Sequence, residues 1–349
     1  MKKSFVVLLL AATLIAGIFI GRLNYSDDSS GIGFEGEKSS ESGNKAPRIL
    51  DFAQFQIGPR NVKDIYAEDK YVWIGTSGGA IRFNPQSQEY RVYDNTLGLL
   101  ANGVFAVGRI NGRIALGTYG GGLSVLQRNE EWKNYNVPDG LGDAFVYDFL
   151  TMPNGDVWIA TWSGVNRVRE GRLDEPAAWD LFTVENTEGG LPNDWVYGLH
   201  AGADGTLWLA TEGGLAHFDG ETWDNWNHAD GLGAELVEDS SIAVQSDHDP
   251  ANFSRHHARQ KAEMGLTGID APYNPNYIVA LWVDADDTVW AGTWGGGLSR
   301  LRDGKWTSFT TEQGLPGNHV FALYRDDKHR LWIGTSKGMA LMVGEGDTG

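Results

Sequence analysis

One short phrase is written six times along this chain, and the repetition constrains the fold more tightly than any other feature. The copies are VWIGTSGGAIRF from Val72, IALGTYGGGLSVL from Ile114, VWIATWSGVNRV from Val157, LWLATEGGLAHF from Leu207, VWAGTWGGGLSRL from Val289 and LWIGTSKGMALM from Leu331. Counted from the Gly or Ala before each Thr, at positions 75, 117, 160, 210, 292 and 334, the steps are 42, 43, 50, 82 and 42 residues. Periods of about 40 to 50 residues belong to units of four short strands that bury their faces only by stacking on their neighbours.

The unit reads as strand a (VFALYR), a polar turn, strand b (LWIGT), a glycine turn, strand c (GMALM), another turn and strand d (WTSFTT). Four antiparallel strands per unit make an all-β fold, a β-propeller of four-stranded blades. The strand-b Trp supplies a large rigid surface for packing one twisted sheet on the next. The Gly pair permits the positive backbone angles of a tight turn. With 47 Gly and 14 Trp among 349 residues, the composition fits many turns and large aromatic packing units.

Six phrases imply six blades; the 82-residue step leaves seven as the alternative. The excess, about residues 233–275, lacks the phrase and reads as an insertion with a short helix, where Asp249 caps, Pro250 suits the first position and Gly265 the end. The last unit stops after strand c, and an open sheet edge invites aggregation. ILDFAQFQIGP from Ile49 is similar to WTSFTTEQGLP near the other end. The expectation is that residues 51–56 complete the last blade and close the ring.

The recurring L-W-x-G-T phrase, set between a polar turn and a Gly pair, resembles the two-component regulator propeller family over about residues 50–342. That resemblance implies an extracytoplasmic sensing propeller, often the outer part of a histidine kinase. Only residues 343–349 follow the last repeat here, so the expectation is a stand-alone propeller without a kinase, ending in a tail at 344–349.

Lys2 and Lys3 precede an uncharged apolar run over residues 5–20, closed by Gly21 and Arg22. Residues 1–23 thus read as an export signal, either a retained anchor or a cleaved signal peptide. Residues 24–48 are rich in Ser, Gly, Glu, Asp and Lys and read as a flexible tether to a propeller at 49–343. The propeller is expected at the periplasmic or extracellular face, touching membrane only through its N-terminal segment. A formal charge of −18 repels nucleic acid and would steer a basic partner. The chain has no cysteine, which removes disulfides, thiolate metal sites and a Cys nucleophile.

On the blade plan, the d-to-a connection and the b-to-c turn share one face of the disc and line one mouth. Just before strand a stand Arg60, Asn102, Ala144, Asp194, Asn276 and Asn318; one position later come Phe145, Trp195, Tyr277 and His319; after the strand-b Thr come Tyr119, Trp162, Glu212 and Trp294. Side-chain type varies there while the frame stays constant. Polar groups above an aromatic floor suit a small polar ligand or a peptide. The structural alternative is turn hydrogen bonding and blade covering. No H-E-x-x-H or phosphate loop occurs, and the adjacent His256 and His257 lack the spacing of a helical zinc motif, so neither metal nor cofactor is expected. The functional expectation is a non-enzymatic binding, sensing or scaffold propeller with an envelope or signalling partner, engaged through the insertion or the acidic rim. The alternative is a lyase or hydrolase loosely similar to streptogramin lyases, with His319 and Asp194 or Glu212 as acid and base.

Overall fold

A computed structural model describes residues 61–68, 70–235 and 274–342. The N-terminal signal, the tether, Arg60, the closing strand expected at 51–56, the helix expected after Asp249 and the C-terminal tail lie outside the described residues.

Six antiparallel sheets follow one another along the chain. Blade one holds β1 (Val62–Ala67), β2 (Val72–Thr76), β3 (Gly79–Phe83) and β4 (Tyr90–Tyr93). Blade two holds β5 (Val104–Ile110), β6 (Arg113–Thr118), β7 (Leu123–Leu126) and β8 (Trp132–Tyr135). Blade three holds β9 (Val146–Thr151), β10 (Val157–Thr161), β11 (Gly164–Val168) and β12 (Trp179–Phe182). Blade four holds β13 (Val196–Ala201), β14 (Leu207–Thr211), β15 (Gly214–Phe218) and β16 (Trp223–Trp226). Blade five holds β17 (Asn274–Val283), β18 (Val289–Trp294), β19 (Leu298–Arg302) and β20 (Lys305–Phe309), and blade six holds β21 (Val320–Arg325), β22 (Leu331–Thr335) and β23 (Gly338–Met342). The fold is a six-bladed β-propeller; the long step between blades four and five adds no seventh sheet among the described residues.

The core is distributed. Five apolar clusters, one at each junction from blades one and two to blades five and six, bury the facing sheets. The strand-b Trp residues of blades one, three, four and five cross to the next blade: Trp73 meets Trp132 edge-on at 6.4 Å, and Trp158 meets Phe218 at 5.7 Å. The small residue before the Thr leaves room for the first valine of the next blade. A Cβ on Gly117 would lie 2.8 Å from Val146 Cγ1, closer than packed atoms allow. Two carboxylates add backbone staples between blades: Asp64 accepts from Val107 N at 2.7 Å and Asp148 from Leu199 N at 2.9 Å.

The Thr that ends strand b closes the turn into strand c. Thr76, Thr118, Thr161, Thr211, Thr293 and Thr335 each donate from Oγ1 to a glycine carbonyl at 2.7–2.8 Å. That glycine has positive φ, +135° at Gly214, and its missing side chain is where the carbonyl of Trp226 on the neighbouring outer strand passes. Gly338 in blade six keeps the same conformation, φ +137°, but among the described residues only Pro316 lies within 4 Å of its would-be Cβ. Among the described residues β23 has no outer partner, Val62 and Ile65 are 48% and 50% exposed, and a cavity of about 360 Å³ is lined by Ala322, Tyr324, Trp332, Gly334 and neighbours.

A Thr211→Val substitution keeps the shape of a fully buried side chain but removes the hydroxyl that donates to the Gly214 carbonyl and accepts from Gly213 N at 3.1 Å. It is expected to lower unfolding free energy by about 1–3 kcal/mol, whereas Thr335→Val, whose bond is solvent-exposed, is expected to lower it less. Chemical denaturation of the two variants side by side checks the order.

Candidate functional site

The two loop sets interlock on one face. The turn after β6 bridges to the residue before β9 (Tyr119 with Phe145), and the end of β18 bridges to the residue before β21 (Trp294 with His319). Within blades, Trp162 N donates to Phe145 O at 3.3 Å, Glu212 N to Trp195 O at 3.2 Å and Ser336 N to His319 O at 3.0 Å. The base of the insertion joins the same face, since Ala234 N donates to Gly296 O at 2.9 Å.

Each connector from strand d begins with a tight capped turn. Asn227, for instance, forms a capping box with Asp230, and Gly231 closes the turn at φ +102°. The polar residues expected to face a ligand stabilise this rim. Asn102 Oδ1 accepts from Asn95 N at 2.8 Å, Asp194 Oδ1 from Val184 N at 2.7 Å, Asn276 Oδ1 from His228 N at 2.6 Å and Asn318 Oδ1 from Thr311 N at 2.9 Å. These four side chains hold the turn through their oxygens.

The aromatic residues converge. Phe145 lies 4.7 Å from Tyr119 and 5.2 Å from Trp162, ring centre to ring centre, and Trp162 lies 5.5 Å from Trp195. Tyr277 stacks on Trp294 at 5.6 Å and 17°, and Trp294 meets His319 edge-on at 5.1 Å. Tyr277, Trp294 and His319 are buried, whereas Tyr119, Phe145, Trp162 and Trp195 keep partial exposure.

A second tier, not singled out from the sequence, lies two residues further along strand a: Phe105, Tyr147, Tyr197 and Phe321. Tyr147 bridges Phe105 at 5.2 Å and Tyr197 at 4.9 Å, Tyr197 reaches Tyr277 at 4.8 Å, and Phe321 meets Trp294 at 5.4 Å. The signal was available, because side chains two apart on a strand share a face. At blade one this tier ends in a cation, with Lys63 Nζ 6.0 Å from the Phe105 ring centre.

Glu212 is the acid of this surface. Tyr197 donates its hydroxyl to Glu212 Oε2 at 3.1 Å. Burial pushes the Glu212 carboxyl up to about 7, against the lowering effect of that bond. Burial and the nearby carboxylate also raise the Tyr277 phenol well above its ordinary range, and burial dominates for Tyr147. His319 packs on Trp294 and Phe321 in blade six, while Glu212 bonds Tyr197 in blade four. Among the described residues no group of three His, Cys, Asp or Glu is placed to hold a metal ion.

Two segments, residues 190–213 and 314–337, match the two component regulator propeller repeat, so the chain carries repeats of that class. Each runs from a capped turn through strands a and b. No curated protein matches. Among solved structures, PorZ, a surface component of the type-IX secretion system of Porphyromonas gingivalis, is 18% identical with a TM-score of 0.55, covering 80% of this chain and 38% of its own. A catalytically inactive virginiamycin B lyase from Staphylococcus aureus with quinupristin is 13% identical, TM-score 0.53, covering 83% and 86%. The extracellular domain of a hybrid two component system from B. thetaiotaomicron is 15% identical, TM-score 0.42, covering 83% and 47%. This chain thus matches less than half the length of the first and third of these. At these identities the shared property is the propeller fold.

Protonated Glu212 is favoured in the folded protein over its ordinary 4.5, so its stabilising contribution is complete below that pH and is lost as pH rises through about 7. Wild type is expected to lose up to roughly 3 kcal/mol of unfolding free energy across that window, and Glu212→Gln to lose correspondingly less. Denaturant midpoints measured at several pH values check this.

Proposed function

We propose that this chain is a non-enzymatic extracytoplasmic propeller whose mouth, formed by the d-to-a connections and b-to-c turns, binds a small polar ligand or a segment of a partner protein. The observation that carries the reading is the continuous run of partly exposed rings Tyr119, Phe145, Trp162 and Trp195, with partly exposed Tyr197 holding Glu212 on the same face, on a frame otherwise uniform from blade to blade. Packing alone asks for no such variation, whereas recognition does. The export signal at residues 1–23 and the formal charge of −18 support a site outside the cytoplasm that favours basic or cationic partners. The chain leaves this face at Ala234, which supports reading the insertion as a second contact to an envelope partner.

A lyase is the competing reading, supported by the likeness of shape to virginiamycin B lyase. It meets a difficulty at Asp194, whose carboxylate is engaged in a turn. Incubation with quinupristin followed by mass spectrometry separates the two, since linearised product would establish an enzyme.

A thermal-shift screen of polar compounds tests the binding reading, with Trp162→Ala and Trp195→Ala as controls. Shifts that vanish in both variants are expected; shifts unchanged in both overturn the mouth as the site. Deleting residues 236–273 is expected to reduce envelope partners recovered with the protein, and unchanged recovery removes the insertion from the proposal.

A further inference from the structure

The reading of the mouth as a binding site leaves the chemical class of its ligand open, and the side chains there narrow it. Four amide or carboxylate groups that would recognise hydroxyls of a neutral ligand, Asn102, Asp194, Asn276 and Asn318, each have an oxygen, Oδ1, engaged by connector backbone. The surface that remains is chiefly aromatic, and the faces of phenol and indole rings carry negative potential. The residues following the strand-b Thr in the six blades are Ser77, Tyr119, Trp162, Glu212, Trp294 and Ser336, so the charge contributed by this tier is one carboxylate. A second acid, Asp143, stands beside Phe145, accepting from its backbone at 2.8 Å and from Ser163 Oγ at 3.3 Å. The aromatic wall already takes one positive charge of the chain's own, the Lys63 ammonium against Phe105. An anion would meet these acids and the field of a chain carrying −18.

Resting on that reading, we propose that the mouth recognises an organic cation, an ammonium group with an apolar flank, seated on the Trp162, Trp195 and Tyr197 rings beside Glu212. The rings supply cation–π attraction and cover the flank. Glu212, held by the Tyr197 hydroxyl at 3.1 Å, supplies the counter-charge. Asp143 adds a longer-range attraction from blade three.

The test uses the full-length protein at about pH 8, above the value of about 7 to which Glu212 is raised. Tryptophan fluorescence is titrated with choline, with benzyltrimethylammonium, and with 3,3-dimethylbutan-1-ol, the neutral isostere of choline. The expected result is saturable quenching by at least one ammonium, roughly tenfold tighter than the isostere. Glu212→Gln should remove most of that difference while circular dichroism shows the fold intact, and Trp195→Ala should weaken cation and isostere together. Equal binding of choline and its isostere overturns the inference but leaves the mouth as a binding site. Failure of both ammonium compounds also overturns it, while thermal-shift hits abolished by Trp162→Ala would keep the broader reading. A preference for the cation that survives Glu212→Gln removes Glu212 from the proposal.

Discussion

The structure depends on one contact made again and again: the flat face of one sheet pressed onto the first valine and outer aromatic of the next. No blade could bury its apolar side alone, since a four-stranded sheet has two faces and solvent would wet both. The small residue before each Thr brings the inner strands close, and the strand-b Trp fills the wider space further out, as the radial geometry of a disc requires. Trp73, Trp158, Trp208 and Trp290 are each under 10% exposed for this reason. Stability is consequently a sum of junctions, and the mouth is held by whichever junctions flank it.

Much of this was legible before any coordinates. The period favoured six sheets over the seven that the long step allowed, the glycine turns marked where strands reverse, and the placement of both loop sets on one face followed from antiparallel order. The identity of the closing Thr bond was not legible, although its product, the invariant T of the phrase, was in plain view. At the mouth the sequence located positions but not directions. Asn102 and Asn318 stand where expected, yet each turns back to its own connector, because a free backbone N–H seven residues upstream is a nearer partner than any ligand. Tyr147 and Tyr197 were passed over for the opposite reason: an aromatic inside a strand reads as packing, and only strand alternation carried two residues past Phe145 and Trp195 reveals the shared face.

The mouth that results is unusual in its balance. Polar groups that look available hold the rim, and groups that look like packing form a partly exposed floor. Glu212 is the exception, an acid retained among phenols where burial raises its affinity for a proton and Tyr197 partly offsets that penalty.

The bond between Asn276 and His228 has a consequence for the architecture. Its counterparts at Asn102 and Asn318 close loops of seven residues, whereas this one spans 48. The same local knot is therefore tied even though a long stretch of chain has been spliced in above it, and Gly233 N is anchored to Ser299 Oγ at 2.8 Å just beneath. The described residues on either side of the added stretch are thus pinned together on the rim. The register of the disc is thereby set by these flanking residues themselves, independently of the length of chain that runs between them.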